Sequence, residues 1–201
     1  MPNHRTHPPV TDFNDLTSPL TMLETRRSGR PRDMAAPGPS EDELDRMLRI
    51  AARVPDHGKI APWRFLVIGS ARRDAFQALL DEAYREEKPD AGRLEYEANA
   101  QFAQQAPCLV AVLYRPNPER TIPLSEQRDS AAAAAMQLEN AATASGYVSG
   151  WLTGWAAYSE GVRTRLCEEG ESVVGFFFIG SPAKPLEERP RPELSDVVRY
   201  W

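Results

Sequence analysis

The sequence predicts an α+β fold, a central mixed β-sheet surrounded by helices, in a single domain. Three observations lead there. The chain has 201 residues with 41% hydrophobic and 26% charged content, enough for one domain with a sizeable core. Helical and strand patterns alternate, but several links are too short for regular βαβ units, which favours helices packed around one sheet. Val173 to Ile179 reads Val-Val-Gly-Phe-Phe-Phe-Ile, apolar on both faces, and is expected to be the central strand.

The elements follow in order. Residues 1–18 are polar and carry Pro2, Pro8 and Pro9, so they read as a flexible extension, or an arm packing on a neighbour, ahead of one domain over residues 19–201. Ser18-Pro19 caps and opens a first helix that carries Leu20 and Leu23. Ser40 and Glu43 form a capping box, with Leu44, Met47, Leu48 and Ala51 at helical spacing behind it. Pro55, Gly58 and Pro62 keep the next stretch irregular. Trp63 to Ile68 is a strand, and a helix from Ser70 turns Phe76, Leu79, Leu80 and Ala83 inward. A second helix is predicted from Gly92 to Gln104, and a strand from Cys108 to Tyr114. The helix from Ser125 to Ser145 is rich in alanine, so a neighbouring helix or a flat ligand could approach it closely. Gly146 is its C-cap. Val148 to Trp155 is a strand interrupted by Gly150 and Gly154, and Val162 to Cys167 a short helix. The proline-rich tail ends in Val197-Val198-Arg199-Tyr200-Trp201, which has strand character and is expected to pair away from its own body.

Composition excludes several classes. A net charge of -5 argues against a general nucleic-acid binder. No stretch approaches the length of a membrane span, and the N-terminus lacks the apolar core of a signal peptide. Cys108 and Cys167 stand far apart without a CxxC pair, which reads as two thiols in a reducing, cytoplasmic setting rather than a zinc site or disulfide framework. GxGxxG, P-loop, GxSxG and HExxH motifs are all missing, and a metal role for His4 and His7 is not expected.

Three segments could carry chemistry. Arg26-Arg27-Ser28, followed by Arg30, concentrates guanidinium donors and a hydroxyl, which suits a phosphate, or else is a solvated basic helix end. His57 is the one histidine outside the N-terminal tail, with Arg53 four residues earlier and Pro62-Trp63 closing its loop. It is either structural or functional, and an imidazole beside a cation is disfavoured as imidazolium. Gly150-Trp151-Leu152-Thr153-Gly154 places glycines where a backbone can approach closely, and Trp151 and Trp155 either shield a flat ligand or pack in the core. Such a site holds a cofactor that carries the chemistry itself.

In their order and spacing these segments resemble the opening signature of the nitroreductase family of FMN-dependent NAD(P)H oxidoreductases, in its compact branch. The matching pieces are Arg26-Arg27-Ser28, then Arg53-Val54-Pro55-Asp56-His57, then Pro62-Trp63-Arg64-Phe65, and later the segment ending at Gly150-Trp151 and Ile179-Gly180-Ser181-Pro182. The resemblance runs from about Leu20 to Trp201. It implies the nitroreductase fold, with a C-terminal segment exchanged across a homodimer and FMN bound at the subunit interface. It also implies ping-pong hydride transfer from NADH or NADPH through flavin N5 to a small-molecule acceptor such as a nitroaromatic or a quinone, with no catalytic side chain. Arg26, Arg27 and Ser28 match contacts to the FMN phosphate and ribityl chain. Arg30 matches a position near the flavin pyrimidine, and Arg53 and His57 match contacts from the other subunit. Trp151, Leu152 and Thr153 match the strand beside the ring, and Arg189 and Arg191 match a basic pair that closes on the phosphate. Ile60-Ala61 stands before Pro62 where many relatives have glutamine, which leaves the acceptor open. A flavin sensor or carrier without turnover would share every binding residue. Dehalogenation or flavin breakdown would call for a lid, for which Glu82 to Gln104 is the candidate segment.

Overall fold

The computed structural model describes residues 12–201, so His4, His7 and most of the N-terminal extension lie outside it. The chain is built on a five-stranded sheet: β1 (Met34–Ala35), β2 (Trp63–Val67), β3 (Cys108–Tyr114), β4 (Val148–Leu152) and β5 (Ser172–Pro182). The order is β1-β5-β3-β2, with β4 also paired to β5. Each of these pairings is antiparallel, which corrects the expected mixed sheet. Apolar runs mark where strands are, and their relative direction depends on long-range pairing that composition does not encode.

The helices are α1 (Pro19–Thr25), α2 (Glu41–Ala51), α3 (Arg73–Glu87), α4 (Arg93–Asn99), α5 (Leu124–Ala144), α6 (Glu160–Leu166) and α7 (Leu194–Val197). Ser18 Oγ accepts from Thr21 N at 3.0 Å, and Ser40 and Glu43 close the capping box on α2, as their sequence positions require. The helix predicted from Gly92 to Gln104 stops at Asn99, and the strand predicted to Trp155 stops at Leu152, just before the turn in which Gly154 adopts φ +54°.

β3 is buried along its whole length and divides its side chains by alternation. Leu109, Ala111 and Leu113 join Phe176 and Phe178 of β5 against Phe76, Leu80 and Ala83 of α3 and Val162 of α6. Cys108, Val110 and Val112 join Phe177 and Ile179 against Met47 and Ala51 of α2 and Ala135, Leu138 and Ala142 of α5. Helices therefore cover both faces, and β5 is central as predicted. Ala131 and Ala134 of α5 receive the buried Trp63 and Tyr114, so these two alanines serve tight packing. Burial pushes the Cys108 thiol up to about 11, while Cys167, beyond α6, is half-buried.

Beyond Pro182 the chain runs along the surface. Leu194, Val197, Tyr200 and Trp201 are exposed, and the expected terminal strand is instead one turn of helix followed by extended chain without a strand partner.

Candidate functional site

The chain leaves α1 at Arg26 and lays residues 26–30 along β4. Gly29 N donates to Ser149 O at 2.9 Å. The approach is so close that a Cβ on Gly150 would stand 2.6 Å from Gly29 O, which is why this strand needs glycine there. Two segments far apart in sequence thus meet as one surface. Asn14 fixes its near end: its Oδ1 accepts from Arg27 N at 2.8 Å and its Nδ2 donates to Arg27 O at 3.3 Å.

The cations collect here. Arg26 Nη1 donates to Ser28 Oγ at 3.2 Å. Arg27 Nε donates to the carbonyl of Glu187 at 2.6 Å, which brings the C-terminal segment over the site. Partial burial, and next the positive charges of Arg189 and Arg191, lower the Arg27 pKa from its usual value. Glu188 links Arg191 to this cluster: its Oε1 lies 4.0 Å from Arg27 Nε and 3.4 Å from Arg191 Nη2. Arg30 is mostly exposed and pairs with Glu187 at 3.0 Å, while Arg191 pairs with Glu188 at 3.4 Å. Such exposed pairs are worth about 0–1 kcal/mol, so an incoming anion displaces them cheaply. A cleft of 430 Å³ opens beside this cluster, lined by Arg27, Ser28, Arg30, Lys184 and Leu186 among others.

Sequence patterning missed the residue at the centre of this arrangement, Glu139 on α5, which is 4% exposed. Arg26 Nη1 lies 3.4 Å from its Oε2, and Ser28 Oγ and Ser149 Oγ donate to its Oε1 at 3.5 and 3.4 Å. Burial raises the Glu139 pKa above the usual carboxylate range, opposed first by Arg26, then by Ser149, Ser28 and the Trp151 backbone N–H. A signal was present: Glu139 stands four residues after Ala135 and three before Ala142, on the inward face of the helix.

The tryptophans are packing residues. The Trp151 indole lies against Phe177, ring centroids 5.1 Å apart, and its Nε1 donates to Val174 O at 3.2 Å. Trp155 meets Tyr84 edge-on at 4.7 Å and donates to Glu87 Oε2 at 3.0 Å. Leu152 packs on the core, and Thr153, half-buried, caps the following turn by accepting from Ala157 N. The backbone of residues 151–153 thus runs past the cluster while the indole of Trp151 faces the sheet.

Arg53 and His57 lie elsewhere. His57 is exposed, and its Nδ1 sits 2.8 Å from Glu126 Oε2. The expectation that a cation stands against the imidazole is therefore corrected: its neighbour is a carboxylate. Arg53 is exposed at the end of α2, two residues before Pro55, whose carbonyl accepts from Ser130 Oγ at 2.6 Å. Glu126 and Glu139 mark opposite ends of α5, thirteen residues and about 20 Å apart at ~1.5 Å per residue. Within one chain the two predicted groups do not form one site. The loop itself is held by Asp56, whose carboxylate accepts from Ile60 N and Ala61 N at 3.0 and 2.9 Å, with Gly58, Lys59 and Ala61 at positive φ.

The candidate lid packs on α3. Gln77 Nε2 donates to Asn99 O at 2.9 Å, and Asn99 Nδ2 to Asp81 Oδ1 at 3.0 Å. Among the described residues no cluster of histidine, cysteine and carboxylate groups could hold a metal ion, and no helix is long and apolar enough to cross a membrane.

The chain belongs to the nitroreductase family, whose model matches residues 23–181. An Escherichia coli K12 protein named "Putative NAD(P)H nitroreductase YdjA" is 33% identical over 184 residues, covering 90% of this chain and 98% of that one. Among solved structures, a nitroreductase-like family protein from Bacillus cereus superposes with a TM-score of 0.77 at 20% identity, over 92% of this chain and 96% of that one. A variant of the FMN and NADPH-dependent nitroreductase NfnB, from "sphigopyxis sp. strain HMH", gives 0.66 at 20% identity, over 91% and 98%.

Proposed function

We propose that the chain is an FMN-dependent NAD(P)H oxidoreductase that reduces small acceptors such as nitroaromatics or quinones. The observation that carries this reading is the arginine cluster, Arg26, Arg27 and Ser28 with Arg191 close by, laid against β4 in a member of this family. Guanidinium forks and a hydroxyl are the donor set a phosphate monoester requires, and the glycine-to-glycine contact between residues 29 and 150 leaves the strand backbone free of side-chain bulk. The named relatives point to the same cofactor and electron donor.

The chemistry supplied by bound FMN is two-electron transfer from a reduced nicotinamide to a second substrate. This chain's residues do the rest. Arg26, Arg27 and Ser28 bind the phosphate end, residues 151–153 line the ring with backbone, and Arg30 adds positive charge that favours an electron-rich ring. No side-chain nucleophile or acid is needed.

The site is completed by a second copy of the chain, which brings Arg53 and His57 to the cofactor. The opposite placement of the two groups along α5 supports this. So does the outward stripe of α5, where Ala133, Met136, Gln137 and Asn140 are half-buried and uncharged, and Asn140 Oδ1 is buried without a hydrogen-bond partner in the described structure. The exposed Leu194, Val197, Tyr200 and Trp201 would reach across to the partner. The test is direct. Purified protein should show flavin absorbance bands that bleach with anaerobic NADH or NADPH and return on adding an acceptor. A spectrum without flavin after reconstitution, or no bleaching by either nicotinamide, rejects the reading.

A further inference from the structure

The proposed chemistry leaves unused a buried carboxylate at the cradle itself, Glu139. Glu139 touches both halves of the cradle: Arg26 and Ser28 on one side, Ser149 of β4 on the other. No other side chain among the described residues bridges the arginine segment and β4 in this way.

We propose that Glu139 is a positioning residue that sets the Arg26 guanidinium and the Ser28 hydroxyl in register with β4, so that the phosphate end and the ring end of bound FMN meet one rigid surface. The inference rests on the FMN reading above. Two effects oppose each other. The carboxylate's negative charge repels a phosphate, while its contacts order Arg26 before the ligand arrives. A free arginine side chain gives up rotamer entropy when fixed, and fixing it in advance removes part of that cost from binding. Glu139 meets Arg26 through one nitrogen at 3.4 Å, which leaves most of the five guanidinium donors for the ligand. Arg26, Ser28 and Ser149 offset part of the carboxylate's charge, and burial, which raises its pKa, further limits the negative charge set against a phosphate. Orientation therefore outweighs repulsion.

The test compares FMN with riboflavin, which carries the same ring without the phosphate. Full-length wild type, E139Q and E139L are loaded with each flavin, and dissociation constants are read from the rise in flavin fluorescence on dilution. We expect E139L to weaken FMN about tenfold, the loss of one charge-assisted contact, with riboflavin unchanged. E139Q, which keeps one acceptor oxygen, should weaken FMN about threefold. A general loss of structure would weaken both flavins alike and leave their ratio intact. The inference is overturned if the FMN-to-riboflavin ratio of E139Q is unchanged, or if either variant holds FMN more tightly, which would make Glu139 a competing charge. Should E139L fail to fold, E139Q decides alone. Wild type that holds neither flavin overturns the FMN reading and this inference together. Wild type that prefers FMN, with variants that keep that preference, overturns the inference only.

Discussion

The indole of Trp151 occupies the space where a side chain on Gly175 would stand: a Cβ at position 175 would come 2.0 Å from Trp151 Nε1. The glycine is needed for room rather than for an unusual backbone, because its φ is not in the left-handed region. Gly175→Ala must push the indole off Phe177 and break its hydrogen bond to Val174 O. We expect a loss of about 2–3 kcal/mol, as overpacking and a lost buried contact combine, measured by urea unfolding.

Arg64 of β2 and Glu171 form a two-pronged ion pair, Nε to Oε1 at 2.8 Å and Nη2 to Oε2 at 2.5 Å, with the Glu171 side chain fully buried. The hydrogen bond from Arg64, above all, holds the Glu171 carboxyl below the usual carboxylate range. A depressed pKa contributes stability that is present above the unfolded value of about 4.3 and is lost as pH falls through the folded one. Arg64→Leu should therefore cost about 2–3 kcal/mol at neutral pH, toward the low side for a broken buried pair because the arginine end is partly wet. The gap from wild type should narrow below about pH 4. Thermal midpoints of the two proteins across pH 3 to 8 (a range of about five units) check this, and a gap that does not change with pH counts against it.

Arg26→Ala removes a mostly buried guanidinium that is the charged partner of the buried Glu139. We predict that the variant folds but loses about 1–3 kcal/mol of stability, because Glu139 is left buried without its cation, and that it purifies with less flavin, FMN binding falling about tenfold or more. The ratio of flavin absorbance to protein absorbance measures it. Full occupancy would remove Arg26 from the phosphate assignment.

His57 and Arg26 sit at opposite ends of α5, so a site shared between subunits makes a specific demand. Arg26→Ala and His57→Ala homodimers should each bind FMN poorly at both sites. A mixed dimer of one copy of each should recover one intact site, because both defects fall on the same cofactor. Differently tagged copies, co-expressed and purified as the mixed species, would show about half the wild-type flavin content. Recovery of none would mean that both residues act on the cofactor from the same chain, against a site shared between subunits.

Local signals carried much of this fold. The capping box of α2 and the run Cys108–Tyr114 appear where the chain places them, because caps and apolar alternation are written within a few residues. Elements fixed by distant partners were harder. β5 runs on to Pro182 because β1 pairs with its end, and nothing in Gly180-Ser181-Pro182 announces a strand. The tail after Val197 has strand composition without a strand to pair with in its own chain. At the site, the arginines were legible from chemistry and the glycines from position. Glu139 was not: helical spacing puts it on the inward face of α5, but the partner that gives it a role, Arg26, lies 113 residues away in sequence.

Cys108 opens the most deeply enclosed strand, and burial keeps its thiol protonated to about pH 11, whereas Cys167 is partly accessible. Thiolate is the species that reacts with disulfide reagents, so at neutral pH the two sulfurs should respond on separate timescales. Cys167 should be modified early, from the folded state. Cys108 should wait until the sheet between α2, α3 and α5 comes apart, and its labelling rate should follow the global opening equilibrium. The chain thus carries its own chemical clock for unfolding, readable by mass in a wild-type sample without an introduced probe.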